Sequence, residues 1–491
     1  MIKVVDLQTN KVEPSAVAAV SAYADLQTLF AKQQNAFREF GRPDAEQRRA
    51  MLRRLHNTVL AYMDELADAV NADFGQRSPF ETRVLELFPV LQAIKHANRH
   101  VARWMKHQRR SPSLWFWPAR TQVIFQPMGV VGIVVPWNYP IYLALGPTIS
   151  ALSAGNRVLI KMSEITPRTG NVLQRLIASA FAEDEIAVIN GDVNIAQAFT
   201  CLPFDHLLFT GSTAVGSKVM AAASENLTPV TLELGGKSPA LIGPDAHIGR
   251  AAKRIMLGKL LNAGQTCVAP DYVLLPQVHE RVFLERARRA ARRLYPKFDN
   301  NPDYTSIINE RQYQRLQACI EDALAKGAEI IELVHCSDEG LAAQRKMKPL
   351  AITNVQPDMR IAKEELFGPL LPIVTYRSLD QALAYINDRP RPLALYYFGK
   401  NKLLIQKVLN ETHAGGVTVN DTLLHVAQDD LPFGGIGASG MGCYHGRDGF
   451  ETFSKKKAVF QRRFNPTFLI YPPFGRRASA IIKLMLGRKR N

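Results

Sequence analysis

Four short stretches hold side chains whose types and spacing could do chemistry together. In Asn262-Ala263-Gly264-Gln265-Thr266-Cys267-Val268-Ala269, a cysteine stands in a polar, flexible Gly-Gln-Thr setting. A lone cysteine is usually a small buried hydrophobe, but here a substrate could reach the thiolate while the Cys267 N–H faces an oxyanion. In Thr231-Leu232-Glu233-Leu234-Gly235-Gly236-Lys237-Ser238-Pro239, a carboxylate stands in apolar company ahead of two glycines. Desolvation would disfavour the charged form of Glu233 and raise its pKa toward that of a general base, against the plainer account of an ion-paired structural glutamate.

Phe209-Thr210-Gly211-Ser212-Thr213-Ala214-Val215-Gly216 reads as a strand end entering a helix through two glycines. Such a helix start offers free N–H groups and a positive dipole end to a phosphate, with Gly211, Ser212 and Gly216 nearest to it. The pattern departs from the usual G-x-G-x-x-G, so taken alone a structural turn explains it as well. Upstream, Ile160-Lys161-Met162-Ser163-Glu164 sets a cation and a carboxylate three residues apart. At a strand's carboxyl end, Lys161 would bond ribose hydroxyls, while Glu164 would bind a 2′-OH and repel a 2′-phosphate. Alone, a Lys-x-x-Glu quartet is more simply a surface ion-pair turn.

The elements that must position these residues follow from periodicity. Residues 16–107 are rich in Ala, Leu, Arg and Glu with apolar positions at helical spacing, which predicts a helical opening. Ser111-Pro112-Ser113 and Pro118 break that pattern, and Thr121-Gln122-Val123-Ile124-Phe125-Gln126 then mixes polar and apolar positions like an exposed strand, free to protrude as an arm. Short β-branched runs at 130–135, 157–160, 186–189 and 206–209, each followed by a helical stretch, predict a doubly wound parallel sheet. Strand candidates at 328–333, 371–375 and 395–398 predict a second α/β domain.

The chain has 491 residues, 47% of them hydrophobic and 21% charged, a composition that excludes a disordered or disulfide-stapled scaffold. At about 150 residues per domain, two or three domains are expected. The net charge of +17 is concentrated: residues 87–163 contain no Asp or Glu, and residues 451–491 carry one acid among many Lys and Arg. Two local basic patches on an otherwise slightly acidic chain argue against nucleic-acid tracking over the whole surface. Cys201, Cys267, Cys319, Cys336 and Cys443 stand far apart without a CxxC pair, which predicts neither disulfides nor a metal site. Met1-Ile2-Lys3-Val4-Val5-Asp6 lacks a leader's apolar region and no run reaches roughly 18 apolar residues, so the expected location is cytoplasmic.

In their chain order, the four stretches resemble the aldehyde dehydrogenase superfamily over nearly the whole chain. Pro136-Trp137-Asn138-Tyr139-Pro140, Glu364-Glu365-Leu366-Phe367-Gly368-Pro369 and Leu431-Pro432-Phe433-Gly434-Gly435-Ile436-Gly437-Ala438-Ser439-Gly440-Met441-Gly442 look like further signatures of it. The resemblance implies an α/β, aldehyde dehydrogenase-like fold: two doubly wound α/β domains plus a small β oligomerisation arm. The dinucleotide-binding domain would take residues 1–118 and 127–234, and the catalytic domain 235–448. The arm would take 119–126 and 449–465, followed by a basic tail at 466–491.

Carried over residue by residue, it implies Cys267 as nucleophile, Glu233 as general base and Asn138 as side-chain donor to the oxyanion. Lys161 and Glu164 would meet the adenosine ribose, and Gly211, Ser212 and Gly216 would lie by the pyrophosphate. Glu365 would hold the nicotinamide ribose, with Phe367, Trp137, Leu234 and Gly235 around the cofactor. The implied reaction is NAD-dependent oxidation of an aldehyde to its acid through a thiohemiacetal and a thioester, with NADP also accepted in this branch. Met162 stands where the family usually has Pro, which predicts a looser turn. Met441-Gly442-Cys443-Tyr444-His445-Gly446-Arg447-Asp448-Gly449-Phe450 is similar to the homodimeric branch acting on aromatic and long-chain aldehydes. Leu260-Leu261-Asn262 and Val419-Asn420-Asp421-Thr422-Leu423-Leu424-His425-Val426 resemble bacterial coniferyl aldehyde dehydrogenases.

Two other functions compete on residues alone. A cysteine-dependent esterase or thioesterase would use the same Cys and Glu without a dinucleotide. A peripheral membrane or anion-binding scaffold would use Trp104, Trp115 and Trp117 in the first basic patch, and the apolar run 481–486 flanked by Arg476, Arg477, Arg488, Lys489 and Arg490. Dimer packing plus a solvated basic tail accounts for the same residues.

Overall fold

The computed structural model describes residues 14–337, 339–462 and 471–486. The leader reading at the amino terminus and the basic residues 488–490 fall outside the described residues. The chain opens with the helices Pro14–Phe40, Ala45–Ala61, Met63–Phe74 and Phe88–Trp104, as the periodicity predicts. Asp44 starts the second of them with a reciprocal cap: its carboxylate accepts from the Gln47 N–H at 2.8 Å, and the Gln47 side-chain carbonyl accepts from the Asp44 N–H at 2.7 Å. Leu52, Leu55 and Val59, three and four residues apart, bury one face of that helix.

Six strands form the first sheet, in the spatial order Gly440–Met441, Val230–Glu233, His206–Thr210, Val130–Val134, Arg157–Lys161, Ile186–Ile189. All pairings are parallel except that of Gly440–Met441, which joins the edge antiparallel to Val230–Glu233. These residues belong with the first sheet although they follow the second in the chain. The second sheet has seven strands in the order Glu329–Glu332, Leu350–Thr353, Leu370–Tyr376, Tyr272–Pro276, Pro239–Ile242, Ala394–Phe398, Gly416–Val419. Only its first pairing is antiparallel. The central strands of both sheets read as buried apolar runs because helices cover their faces, while the edge strands Glu329–Glu332 and Gly416–Val419 stay partly exposed.

A third, antiparallel sheet joins Gln108–Arg110, Ala119–Pro127 and Ser454–Arg462. Its long pair runs in unbroken register from Ser454 opposite Pro127 to Arg462 opposite Ala119. Trp104, read above with the exposed basic patch, is instead buried at 6% exposure and packs on His100 and Phe450. No helix among the described residues is long and apolar enough to cross a membrane.

Candidate functional site

The first sheet fixes where a ligand can enter. Its chain order runs outward from Val130–Val134 through Arg157–Lys161 to Ile186–Ile189, then returns to the other flank for His206–Thr210 and Val230–Glu233. The order reverses between Val130–Val134 and His206–Thr210, and open α/β sheets bind ligands in the crevice outside the carboxyl ends at such a reversal. Trp137 and Asn138 follow the first of these two strands, Gly211 and Ser212 the second, and Lys161 and Glu233 close their neighbours.

Cys267 arrives on an irregular loop behind the helix Ile248–Leu260. Asn262, Ala263 and Gly264 take φ values of 52°, 51° and 77°, a left-handed run costly for the two non-glycine residues. Surrounding bonds hold it there. The Asn262 side-chain amide donates to the carbonyls of Asn138 and Gln265, both at 3.1 Å. The Gln265 side chain donates to Asn262 and Ser306 carbonyls at 3.0 Å and accepts from the Ile308 N–H at 2.9 Å. Tyr139 and Thr266 share a hydroxyl bond of 2.7 Å, and the Tyr396 hydroxyl donates to the Val268 carbonyl. The residues on both sides of Cys267 are therefore fixed. Burial first, then the negative charges of Glu365 and Glu233, push the Cys267 thiol up to about 12.

Glu233 ends its strand 2% exposed, and neither carboxyl oxygen has a hydrogen-bond partner. Burial alone holds its pKa well above the usual carboxylate range, as its apolar setting predicts. Asn138 is buried, and its side-chain amide donates to the Gln265 carbonyl at 3.2 Å. That bond ties Asn138 to the loop bearing Cys267 and uses one of its two amide hydrogens. Trp137 meets Phe367 edge-to-face with centroids 5.4 Å apart.

Glu365 lies against the Glu-Leu-Gly-Gly turn so closely that a Cβ on Gly235 would fall 2.0 Å from its Oε2. Burial, helped by Asp271, raises the Glu365 pKa to about 8. The approach is held by Lys237, whose ammonium pairs with Asp271 and donates to the Ile361 and Glu364 carbonyls at 2.8 and 2.9 Å. Asp271 also accepts from the Leu366 N–H at 3.0 Å. Cys267, Glu233, Asn138, Glu365, Trp137 and Phe367 are thus gathered around one site.

The remaining candidates sit at or just beyond the carboxyl ends of the strands Arg157–Lys161 and His206–Thr210. Ser212 caps the helix Thr213–Ser224, and its first turn is exposed. A Cβ on Gly216 would come 2.6 Å from Leu234, so this glycine serves helix-on-strand packing. Lys161 is 1% exposed, and its ammonium donates to the Met162 and Gly191 carbonyls at 2.6 and 2.8 Å, leaving a third donor. Glu164 is exposed and Gly211 half-buried. Met162 does not loosen the turn: its N–H donates to the Ile189 carbonyl at 3.0 Å, a bond that proline cannot make.

These residues fit a dinucleotide on structural grounds: an exposed capped helix start for a pyrophosphate, an ammonium donor two strands over, and the Glu365 carboxyl set against the Gly235 turn. Among the described residues no group of three or more His, Cys, Asp or Glu is placed to hold a metal ion. Motif reading did not find Arg77, Glu81, Glu86, Tyr396 or Asp271, each of which bonds a site segment distant in sequence.

A doubly wound sheet with a cofactor crevice, whose strand Val230–Glu233 ends on a buried Glu233, faces a loop that carries the half-buried Cys267 ahead of the second sheet's strand Tyr272–Pro276. The model of the aldehyde dehydrogenase family matches residues 2–459, and this chain belongs to that family. It is an oxidoreductase that oxidises aldehydes with a nicotinamide cofactor. Its sequence is 52% identical to a probable coniferyl aldehyde dehydrogenase of Pseudomonas aeruginosa, covering 93% of this chain and 95% of that protein. It is 46% identical to the coniferyl aldehyde dehydrogenase of Pseudomonas sp. strain HR199, over 87% of this chain and 89% of the relative. Substrate-bound Staphylococcus aureus AldH superposes with a TM-score of 0.88 at 37% identity, covering 94% of this chain and 99% of that one. A Mycobacterium tuberculosis aldehyde dehydrogenase complexed with NAD+ superposes at 0.81 with 29% identity, covering 89% of this chain and 90% of that one.

Proposed function

We propose that this chain oxidises a coniferyl-type aldehyde, an aromatic ring conjugated to the aldehyde, to the carboxylic acid with NAD and through a thioester on Cys267. The observation that carries the reading is the pairing of a fixed Cys267 loop with a buried, partnerless Glu233 carboxyl. Lys161, Glu164, Gly211, Ser212, Gly216, Leu234 and Gly235 would hold the dinucleotide, with Glu365, Trp137 and Phe367 at its nicotinamide end. When bound, the oxidised nicotinamide supplies a positive charge and the hydride acceptor.

The chain's own residues do the rest. Cys267 Sγ bonds to the aldehyde carbon, and the oxygen of the resulting thiohemiacetal gathers negative charge. The Cys267 N–H and the second amide hydrogen of Asn138 donate to that oxygen. Once the carbon is oxidised, Cys267 carries the acyl group as a thioester. Glu233 then takes a proton from water, which attacks the thioester and frees the acid and the thiol.

Initial rates with coniferyl aldehyde, benzaldehyde and a long-chain fatty aldehyde, each with NAD and with NADP, test the specificity. The expected result is at least about tenfold higher kcat/KM for coniferyl aldehyde and faster turnover with NAD, because the Glu164 carboxylate repels a 2′-phosphate. A preference for the fatty aldehyde would contradict the substrate reading, and a preference for NADP the role of Glu164.

We further infer that the antiparallel arm pairs two chains into a homodimer. The arm and its approach expose Leu114, Trp117 and Phe460 at 82%, 68% and 51%, an apolar surface that suits a second chain. The helix Arg476–Leu486 exposes Leu484 and Leu486 beside Arg476, Arg477 and Lys483, which supports weak peripheral association with anionic membranes. Light scattering is expected to give twice the chain mass. Co-sedimentation with anionic vesicles is expected to fall when residues 475–491 are removed; unchanged sedimentation would discard the tail as anchor.

A further inference from the structure

Behind Asn138 lies a buried ionic cluster that no step of the chemistry uses. Arg77 is fully buried and pairs with Glu86 at 3.1 Å, while Glu81 approaches its guanidinium at 3.9 Å. Arg77 lies just ahead of the short helix Pro79–Thr82, which carries Glu81 and continues into a wide turn over Arg83–Leu87 that carries Glu86. In a regular α-helix, positions five apart point about 140° away from each other. Here the Phe88 N–H reaches back to the Arg83 carbonyl, five residues away, a π turn that widens the helix so that Glu81 and Glu86, five apart, both reach Arg77.

Each member of the cluster ends on a part of the site. Arg77 Nη1 donates to the Asn138 backbone carbonyl at 3.0 Å. Glu81 accepts from the Asn262 N–H at 2.8 Å, pinning the first residue of the left-handed run ahead of Cys267. Glu86 accepts from the Ile141 and Tyr142 N–H groups at 2.8 and 3.1 Å, which anchors the start of the helix leaving Asn138. The guanidinium also lies 4.9 Å from the ring centroid of Tyr139, whose hydroxyl bonds Thr266 beside Cys267. Burying three charges is unfavourable against a well-packed apolar core, so the cluster is weak evidence of stability alone. Its contacts converge on the two groups whose relative placement sets an oxyanion site.

We propose that Arg77, held between Glu81 and Glu86, is a positioning residue that sets the Asn138 amide against the Cys267 loop. The proposal rests on the reading of Asn138 as oxyanion donor. A flat guanidinium is required because one group must meet a carbonyl, a carboxylate and an aromatic face at once, which a lysine ammonium cannot do. Arg77→Lys keeps the charge and loses that geometry.

The test is a double-mutant cycle on the intact enzyme, read as the rate of the first NADH turnover and as NAD affinity. Asn138→Ala alone is expected to slow the first turnover about 10²-fold. Arg77→Lys alone is expected to slow it at least about tenfold with NAD affinity unchanged, and to add little in the Asn138→Ala background. If Arg77→Lys lowers the folded yield, Glu86→Gln, which keeps shape and removes the charge, takes its place in the cycle with the same expectation. Independent effects that multiply in the double variant, or a parental first-turnover rate in both single variants of the cluster, would overturn the proposal. A parental rate in Asn138→Ala would instead overturn the reading of Asn138.

Discussion

Cys267→Ala is expected to abolish aldehyde-dependent NADH formation, with steady-state turnover down on the order of 10⁴-fold or more, while NAD binding is retained. The size of the effect follows from the absence of a second route: with no sulfur to bond the aldehyde carbon, neither the thiohemiacetal nor the thioester can form. The thiol is not reactive by its own ionisation. With its pKa pushed to about 12, forming the thiolate at neutral pH is uphill by roughly 7 kcal/mol in the protein alone. A positive charge beside the sulfur is needed to offset that, so the thiol is expected to alkylate faster at pH 7 with NAD present than without it. Full turnover in Cys267→Ala, or alkylation indifferent to NAD, would remove this residue from its role.

Glu233→Gln is expected to separate the two halves of the reaction. The first turnover remains fast and gives about one NADH per site, because acyl formation needs no base at Glu233. Steady-state turnover then falls by about 10²- to 10⁴-fold, the usual worth of a positioned general base. The sign of the pH dependence is fixed by burial. A base works only when ionised, and Glu233 carries a pKa well above the ordinary carboxylate range. Hydrolysis in the parent enzyme is therefore expected to rise with pH beyond the range where an ordinary carboxylate titrates, and the Gln variant to lose that rise. Loss of the burst in Glu233→Gln would put this carboxylate before oxidation rather than after it.

What the chain reveals before folding is set by how local each signal is. The strands Val130–Val134, Arg157–Lys161 and His206–Thr210 are continuous apolar runs between helices, and such runs are readable one window at a time. Gly440–Met441 is two residues within a glycine-rich segment and becomes a strand only by pairing with Val230–Glu233, far away in sequence. Pro239–Ile242 begins with a residue that usually demotes a strand, yet lies in the middle of the second sheet.

The same rule separates the site residues. Cys267 and Glu233 stand in short motifs whose glycines mark the turns. Arg77, Glu81 and Glu86 carry no motif, because their partners Asn138, Asn262 and Ile141 lie 55 to 181 residues away. The bend that brings Cys267 into place is likewise only half legible, since Gly264 signals a left-handed turn and Asn262 and Ala263 do not.

The covalent intermediate gives the most direct test of the central claim. Glu233→Gln enzyme mixed with NAD and coniferyl aldehyde, quenched in acid within the burst and digested, can be read by mass spectrometry for an acyl group. The account predicts one coniferyl-derived acyl group per chain on the peptide containing Cys267, and unmodified Cys201, Cys319, Cys336 and Cys443. An acyl group on any of those four, or a full burst of NADH with no acyl-cysteine at all, would contradict it.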